Sequence, residues 1–568
     1  MGSTVTMTAP KSADFVANPR AAGSMLDEAA QRFGARPAVD FLGRGWSWSD
    51  IATLADRAAA GLQQRGVVKG TRVGLCLPNT HYFIVMYYAI LKAGGTVVNF
   101  NPLYTERELA TQAQSAGTRI MVSLDVPMIQ DKISALVAQG LLDQVVVCSM
   151  AQALPMLKSW AFRLLKSSER AAIPATKTYV RFANLIAGQS KPAPVSINPL
   201  EDVAALQFTG GTTGVPKAAM LTHGNITTNV QQVLAGSPPL AEGGERIMGV
   251  LPFFHVFAMT AVMNLGVAIG AELVLMPRLD IKMLMAAIER KRPTIVPGVP
   301  TLFTAISNAA GSGMDLSFIK FCISGGAAIS AEAADRFERL SQCSILEGYG
   351  LSEASPVVTA TPPERIKRNS VGTALPGTII EIRDPEQPER ILPQGEKGEI
   401  CVRGPQIMKG YLDRPDETAK SMIDGALRTG DIGYLDADGY LFIVDRIKDL
   451  ILCSGYNVYP RVIEEAAYQH PAVQDAIAIG IADSYRGQAP KLFVTLRTGA
   501  QATEAEILEF LKSHLNKIEI PKAIEIRDSL PKTLVGKLSK KELVAEEAAK
   551  PQVIKEFFND QDTGAKAS

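Results

Sequence analysis

From residue 37 to about residue 446, short apolar runs of strand length alternate with longer stretches of helical period. No other feature constrains the fold of this chain as strongly. Runs at 73–77 and 96–100 bracket an apolar helix pattern at 81–93, which closes on Gly94 and Gly95. A run at 318–324, a helix pattern at 331–342 and a run at 344–347 repeat the arrangement. Strand–helix–strand order returns consecutive strands in parallel and lays the helices over the sheet faces. After residue 446 the pattern changes. A short strand pair near 448–452 leads to a helix at 461–468, strands at 474–481 and 491–495, a helix at 503–515 and a strand at 523–527. The expected fold is α/β, with a large N-terminal domain of mainly parallel sheets covered by helices over 1–445. A small α+β C-terminal domain of about 120 residues follows over 446–568.

Composition narrows the function. At 568 residues and 47% hydrophobic content, the chain can build large cores without disulfides or metal. A formal net charge of +1 lacks the basic excess of a nucleic-acid binder. The cysteines Cys76, Cys148, Cys322, Cys343, Cys401 and Cys453 form no C-x-x-C pair, and most lie in apolar runs. They read as reduced thiols of a cytosolic protein. Residues 1–20 lack the apolar segment of a signal peptide. The stretch 247–271 carries no Asp, Glu, Lys or Arg and is long enough to span a bilayer. Pro252, His255, Gly266 and Gly270 interrupt it, so the expected split is a buried strand at 247–251, a buried helix at 257–269 and a strand at 272–276.

Four motifs carry chemistry. Thr209, Gly210, Gly211, Thr212, Thr213, Gly214, Val215, Pro216 and Lys217 stand between two apolar strands. Three glycines let backbone N–H groups approach an anion, the threonines add donors and Lys217 adds charge: a phosphate-binding loop. It is not a Walker A loop, because no G-K-[ST] occurs. Glu347, Gly348, Tyr349, Gly350, Leu351, Ser352 and Glu353 run from a strand into a Gly-rich turn. Such a turn can stack a base on Tyr349 and hold Mg²⁺ through Glu353. Arg428, Thr429, Gly430 and Asp431, followed by Asp445, Arg446, Ile447, Lys448 and Asp449, suit a ribose diol at Asp431 and ribose or phosphate at Arg446; a salt-bridged hairpin is the bland alternative. Pro531, Lys532, Thr533, Leu534, Val535, Gly536 and Lys537 suggest a loop packed at its base that projects one amine; a solvated basic loop is the bland alternative there.

In this order, T-G-G-T-T-G-x-P-K, Y-G-L-S-E, R-T-G-D, D-R-x-K-D and P-K-T-x-x-G-K, the motifs resemble the adenylate-forming superfamily of acyl-CoA synthetases, luciferases and peptide-synthetase adenylation domains. The resemblance runs from about Met25 to Leu543. The stretch from Asp445 to Pro460 and the run from Leu251 to Phe257 look most like bacterial long-chain fatty-acid–CoA ligases. The resemblance implies a two-step ligase. A carboxylate attacks the α-phosphorus of ATP to give acyl-AMP and pyrophosphate, and the thiol of coenzyme A then displaces AMP. It implies that Thr209–Lys217 cradles the β and γ phosphates, that Gly325, Gly326, Ala327 and Tyr349 hold adenine within the turn from Glu347 through Gly348 to Gly350, and that Asp431 and Arg446 hold ribose. It implies Glu353 for Mg²⁺ and a catalytic set of Lys537, Ser352, Lys448 and His255. It implies a mobile small domain with a hinge near Lys448, which withdraws Lys537 and presents the face of Ser454, Gly455 and Tyr456 to the thioester step.

The expected acyl pocket, lined by His255, Val256, Met259, Thr260, Pro300 and 325–327, holds no fixed Arg, Lys or Asp, which suits a hydrocarbon chain. Alternatives are a medium-chain, dicarboxylate or aryl-CoA ligase, an acyl-AMP ligase feeding a carrier protein, or a non-catalytic acyl-lipid binder. The segment 154–170 is left over. On a helix, Leu154, Leu157, Trp160, Ala161, Leu164 and Leu165 share an arc of roughly 140°, with Lys158, Arg163, Lys166 and Arg170 opposite. That pattern fits a peripheral contact at the inner face of a membrane, an ordinary packed helix, or a homodimer contact.

Overall fold

The computed structural model describes residues 15–188, 191–209, 216–310, 314–326, 329, 331–453, 456–483, 485–532 and 538–550. The chain divides into two compact units, with the boundary between Ile447 and Lys448.

The first unit holds three sheets. In a nine-stranded sheet, Pro37–Phe41, Glu272–Leu275, Arg246–Gly249, Ile295–Gly298, Phe321–Gly325 and Ile345–Gly350 run parallel; Arg44–Ser47 flanks one side antiparallel, and Val357–Ala360 with Thr373–Ala374 the other. In an eight-stranded sheet, six parallel strands end on the antiparallel pair Lys217–Thr222 and Gly410–Tyr411. These two match the alternating pattern. The third does not: Ile379–Arg383, Gly398–Arg403, Met422–Ile423, Ala426–Leu435 and Leu441–Arg446 pair antiparallel throughout. The strand–helix alternation therefore stops well before residue 446. Hairpins replace crossovers here because the connections are short and turn-rich, as at Asp436–Gly439.

Helix His81–Lys92 is buried on every side from His81 to Leu91, which explains its apolar sequence. It packs on the strands Arg72–Leu75 and Thr96–Asn99, and its Tyr88 hydroxyl donates to Asn264 at 2.8 Å. Helix starts are set by capping boxes at Ser47 with Asp50, Thr105 with Glu108 and Thr222 with Asn225. The uncharged stretch folds as expected: strand Arg246–Gly249, short helix Val256–Ala258, a π-helical turn Met259–Asn264, helix Leu265–Ile269, left-handed Gly270, then strand Glu272–Leu275. No helix among the described residues is long and apolar enough to cross a membrane. All six cysteines are buried and unpaired in disulfides.

The second unit is a five-stranded sheet of Tyr456–Val458, Ile451–Cys453, Gly487–Leu496, Val473–Asp483 and Ala523–Ile526. Helices Pro460–Tyr468 and Glu504–Lys512 bury Ile463, Ile507 and Leu511 in one core with Val473 and Leu492.

Two histidines in the first unit make its stability depend on pH. Burial, with Arg44 nearby, pushes His81 down to about 3, and the Trp46 ring stacks on it at 4.0 Å. Burial pushes His223 down to about 4, opposed by Asp202 and reinforced by Lys69; its Nδ1 accepts the Ala22 N–H. Both are neutral when folded and charge on unfolding near their ordinary value of about 6.5. Their contribution is complete above that pH and is lost as pH falls. Between pH 6.5 and 5 the first unit should lose about 2 to 4 kcal/mol, read as a lower urea midpoint. His81→Gln should reduce the slope by about one proton. A flat profile across this window would show that the histidines are not held neutral.

Candidate active site

The site of the first unit gathers at the carboxyl ends of its parallel strands, where open α/β sheets bind ligands. Phe321–Gly325 and Ile345–Gly350 are neighbours in register, with Ser324 opposite Glu347 and Gly325 opposite Gly348. Beyond Gly350 the chain turns through Leu351 and the short helical turn Ser352–Ala354 into strand Val357–Ala360. Glycine is required at 350, because a Cβ there would lie 2.0 Å from the Pro356 carbonyl oxygen. Two distant side chains clamp the turn. Asn229 on helix His223–Gly236 donates to the Val357 carbonyl at 2.8 Å and accepts the Val357 N–H at 3.0 Å. The Thr260 hydroxyl donates to the Ser355 carbonyl at 2.7 Å. Ser352 and Glu353 are left half-buried, and Gly326 exposed with φ +82°.

Tyr349 is buried, and its hydroxyl donates to Asp431 Oδ2 at 2.6 Å. Burial, with the carboxylate beside it, holds the phenol well above its ordinary value, so it stays a proton donor. Asp431 is itself buried; Arg446, its register partner on the next strand, reaches it at 3.0 Å. The rest of this motif is scaffolding. Arg428 pairs with Glu399, Thr429 donates to the Ile400 carbonyl, and Gly430 takes φ +72° so that the strand can present Asp431. The salt-bridged hairpin is therefore present, and Asp431 is the carboxylate at its centre.

Thr209 and Lys217 face each other at the open end of the hairpin Val203–Thr209 and Lys217–Thr222. The Lys217 ammonium pairs with Glu417 and lies 5.4 Å from the centre of the Tyr411 ring. The Tyr411 hydroxyl donates to Glu353 Oε1 at 2.7 Å. Lys217 and Glu353, from separate motifs, are therefore joined through one tyrosine. The Lys217 ammonium holds Glu417 below its usual range; burial and Glu353 push Tyr411 up. Sequence reading missed Tyr411, Glu417 and Asn229. Their partners lie far along the chain, up to 200 residues for Lys217 and Glu417, so no local pattern marks them.

Around the expected acyl pocket, His255 and Pro300 are half-buried, whereas Val256, Met259 and Thr260 are buried. The Phe257 ring sits 3.1 Å from where a Cβ on Gly325 would be, so glycine lets this ring reach the strand end. Gly210, Gly211, Thr212, Thr213, Gly214, Ala327, Ser454, Gly455 and Lys537 lie outside the described residues. In the second unit, Lys448 is exposed in the short helical turn Ile447–Asp449, and Tyr456 is exposed at the start of its strand.

Among the described residues no three His, Cys, Asp or Glu side chains converge to hold a metal by themselves. Glu353 alone fits Mg²⁺, which uses one or two carboxylates and takes its other ligands from substrate phosphates and water.

A large α/β unit with its motif residues at the strand ends, followed by a small α+β unit, is the architecture of enzymes that activate substrates on a nucleotide. The family model described as AMP-binding enzyme matches residues 26–412, its C-terminal domain matches 462–537, and the chain belongs to this family. It is 41% identical over 530 residues to the long-chain-fatty-acid–CoA ligase of Bacillus subtilis strain 168, covering 92% of this chain and 94% of that one. It is 36% identical over 528 residues to the enzyme of the same name from Salmonella typhimurium strain LT2, covering 91% and 93%. Among solved structures it resembles ATP-bound MatB from Rhodopseudomonas palustris, at 27% identity and a TM-score of 0.80 over 92% of this chain and 98% of that one.

Proposed function

We propose that the protein is an AMP-forming ligase that activates a long-chain fatty acid as acyl-AMP and transfers the acyl group to coenzyme A. The observation that carries this reading is the 41% identity to a long-chain-fatty-acid–CoA ligase along nearly the whole of both chains. A carboxylate resists attack by a thiol because its leaving group would be oxide. In the first step a carboxylate oxygen bonds to the α-phosphorus, and the bond to pyrophosphate breaks. In the second, the thiolate sulfur bonds to the acyl carbon and AMP leaves. Negative charge collects on phosphorus oxygens, so preorganised cations and N–H donors lower the barrier.

In this reading ATP lies along the strand ends of the first unit. Tyr349 packs against the base, Asp431 accepts from the ribose hydroxyls, Arg446 braces Asp431, and the loop between Thr209 and Lys217 wraps the phosphates. Bound Mg²⁺ would neutralise phosphate charge, and Glu353, oriented by Tyr411, would hold it. Ser352 and Lys537 serve the α-phosphate and the carboxylate. The small unit turns at Lys448 between the two steps and brings Ser454, Gly455 and Tyr456 to the thioester step. Buried apolar Val256 and Met259 near half-buried His255 support a hydrocarbon substrate.

The test is pyrophosphate release from ATP over a panel of acids, with and without coenzyme A. Long-chain acids should give the highest kcat/KM and acyl-CoA as product. A preference for aryl or dicarboxylic acids would reassign the substrate. Acyl-AMP that never reaches coenzyme A would indicate a carrier-protein ligase, and absence of pyrophosphate release a non-catalytic binder.

A further inference from the structure

The helix Met156–Leu165 is turned the wrong way round for a packed surface helix. None of its residues is buried. Ser159 and Phe162 are half-buried; Phe162 packs against the core, and Lys158 donates to the Leu42 carbonyl at 2.8 Å. Phe162, on the side of the basic residues, is thus the anchor. Leu154, set on the apolar arc, precedes the helix and is buried. Met156, Leu157, Trp160, Leu164 and Leu165 project outward, between 64% and 83% exposed. They are five of the seventeen large apolar side chains exposed among the described residues, and no other ten-residue stretch holds more than two. Leaving this area in water is unfavourable unless something covers it.

The surroundings say what covers it. A cavity of about 270 Å³ beside the helix is lined by Arg163, Arg170 and Arg181, with Asp125 and Ser149. Asp125 is already engaged, its carboxylate accepting the Met150 N–H at 2.6 Å. The three arginines form no ion pair among the described residues. From 151 to 200 the chain carries seven Lys and Arg against one acid, Glu169, which pairs with Lys166. An apolar ridge carrying a tryptophan, bordered by uncommitted guanidinium groups around a headgroup-sized hollow, complements an anionic bilayer surface: hydrocarbon below, phosphate at the rim. A protein partner would need to supply both features, whereas a lipid surface supplies them in that order.

We propose that helix Met156–Leu165 and the arginines beside it form a docking site for anionic phospholipid, seating the protein on a membrane surface with the Trp160 side inserted.

The experiment is co-sedimentation of the full-length protein with phosphatidylglycerol-containing vesicles and with phosphatidylcholine vesicles, at low and raised salt. Wild type should pellet with the anionic vesicles and dissociate with salt, each basic contact adding roughly fivefold to binding. Trp160→Glu with Leu164→Glu should weaken binding at least tenfold, since charge enters the hydrocarbon boundary. Arg163→Glu with Arg170→Glu should remove the preference for anionic lipid. All four side chains are exposed, so both variants should melt like wild type and turn over a soluble medium-chain acid at the wild-type rate. The proposal is overturned if wild type does not pellet, or if the apolar variant pellets equally. It is also overturned if wild type is a dimer by light scattering that the apolar variant converts to monomer, because a second copy would then be the occupant.

Discussion

Lys537→Ala is expected to lower acyl-AMP formation by about 10²–10³-fold or more while leaving thioester formation from supplied acyl-AMP nearly intact. The asymmetry follows from the two transition states. In the first, charge from the carboxylate and from ATP accumulates around one phosphorus, and a primary ammonium is the group best able to offset it. In the second, by the proposed reading, the small unit has turned and withdrawn Lys537, so other groups meet the charge on the departing AMP. Lys537 follows Gly536 in a motif whose flanking residues Leu530 and Leu538 belong to one small hydrophobic cluster of the second unit. The measurement is ATP–pyrophosphate exchange for the first step and coenzyme A consumption with synthetic acyl-AMP for the second. Lys537→Arg keeps the charge and should recover part of the exchange. Equal loss in both half-reactions would assign Lys537 to the fold of the small unit instead.

The parallel sheets were legible because their strands are short apolar runs bounded by turn residues, and the crossover helices between them carry a helical period. In the structure the helix Glu106–Ala116 starts on a capping box of Thr105 with Glu108. The uncharged stretch near 260 was legible as two strands and a helix because Pro252 and Gly270 break it. The antiparallel third sheet was not. Its strands carry charges, such as Glu399 and Arg428, that find each other only across the ladder. The candidate site divides the same way. Residues in compact motifs, such as Tyr349, Glu353 and Asp431, could be picked out from spacing alone. Residues that orient them could not. Asn229 sits mid-helix as an ordinary polar residue, and only folding brings it to Val357. The orientation of helix Met156–Leu165 was also illegible: its projection defines an apolar side but not which way that side faces, and one half-buried Phe162 decides it.

Asp431→Ala should reduce kcat/KM for ATP by about 10²–10⁴-fold, chiefly by removing acceptors for the ribose diol. A hydrogen bond to a charged acceptor contributes about 1.5–3 kcal/mol, and two such bonds span that range. The structure adds a complication, since Asp431 also accepts from the buried Tyr349 hydroxyl and pairs with Arg446. Part of any loss therefore comes from a phenol left without its acceptor and a guanidinium left without its partner. Nucleotide analogues separate the two contributions, because removing a ribose hydroxyl deletes the partner of Asp431 without touching the protein. Wild type should discriminate strongly between ATP and its 2′-deoxy or 3′-deoxy forms, and Asp431→Ala should discriminate little. The difference of the two ratios is the coupling between carboxylate and diol, free of the structural cost. If the variant penalises the deoxy nucleotides as much as wild type does, Asp431 acts only by bracing Tyr349 and Arg446, and the ribose is held by other groups.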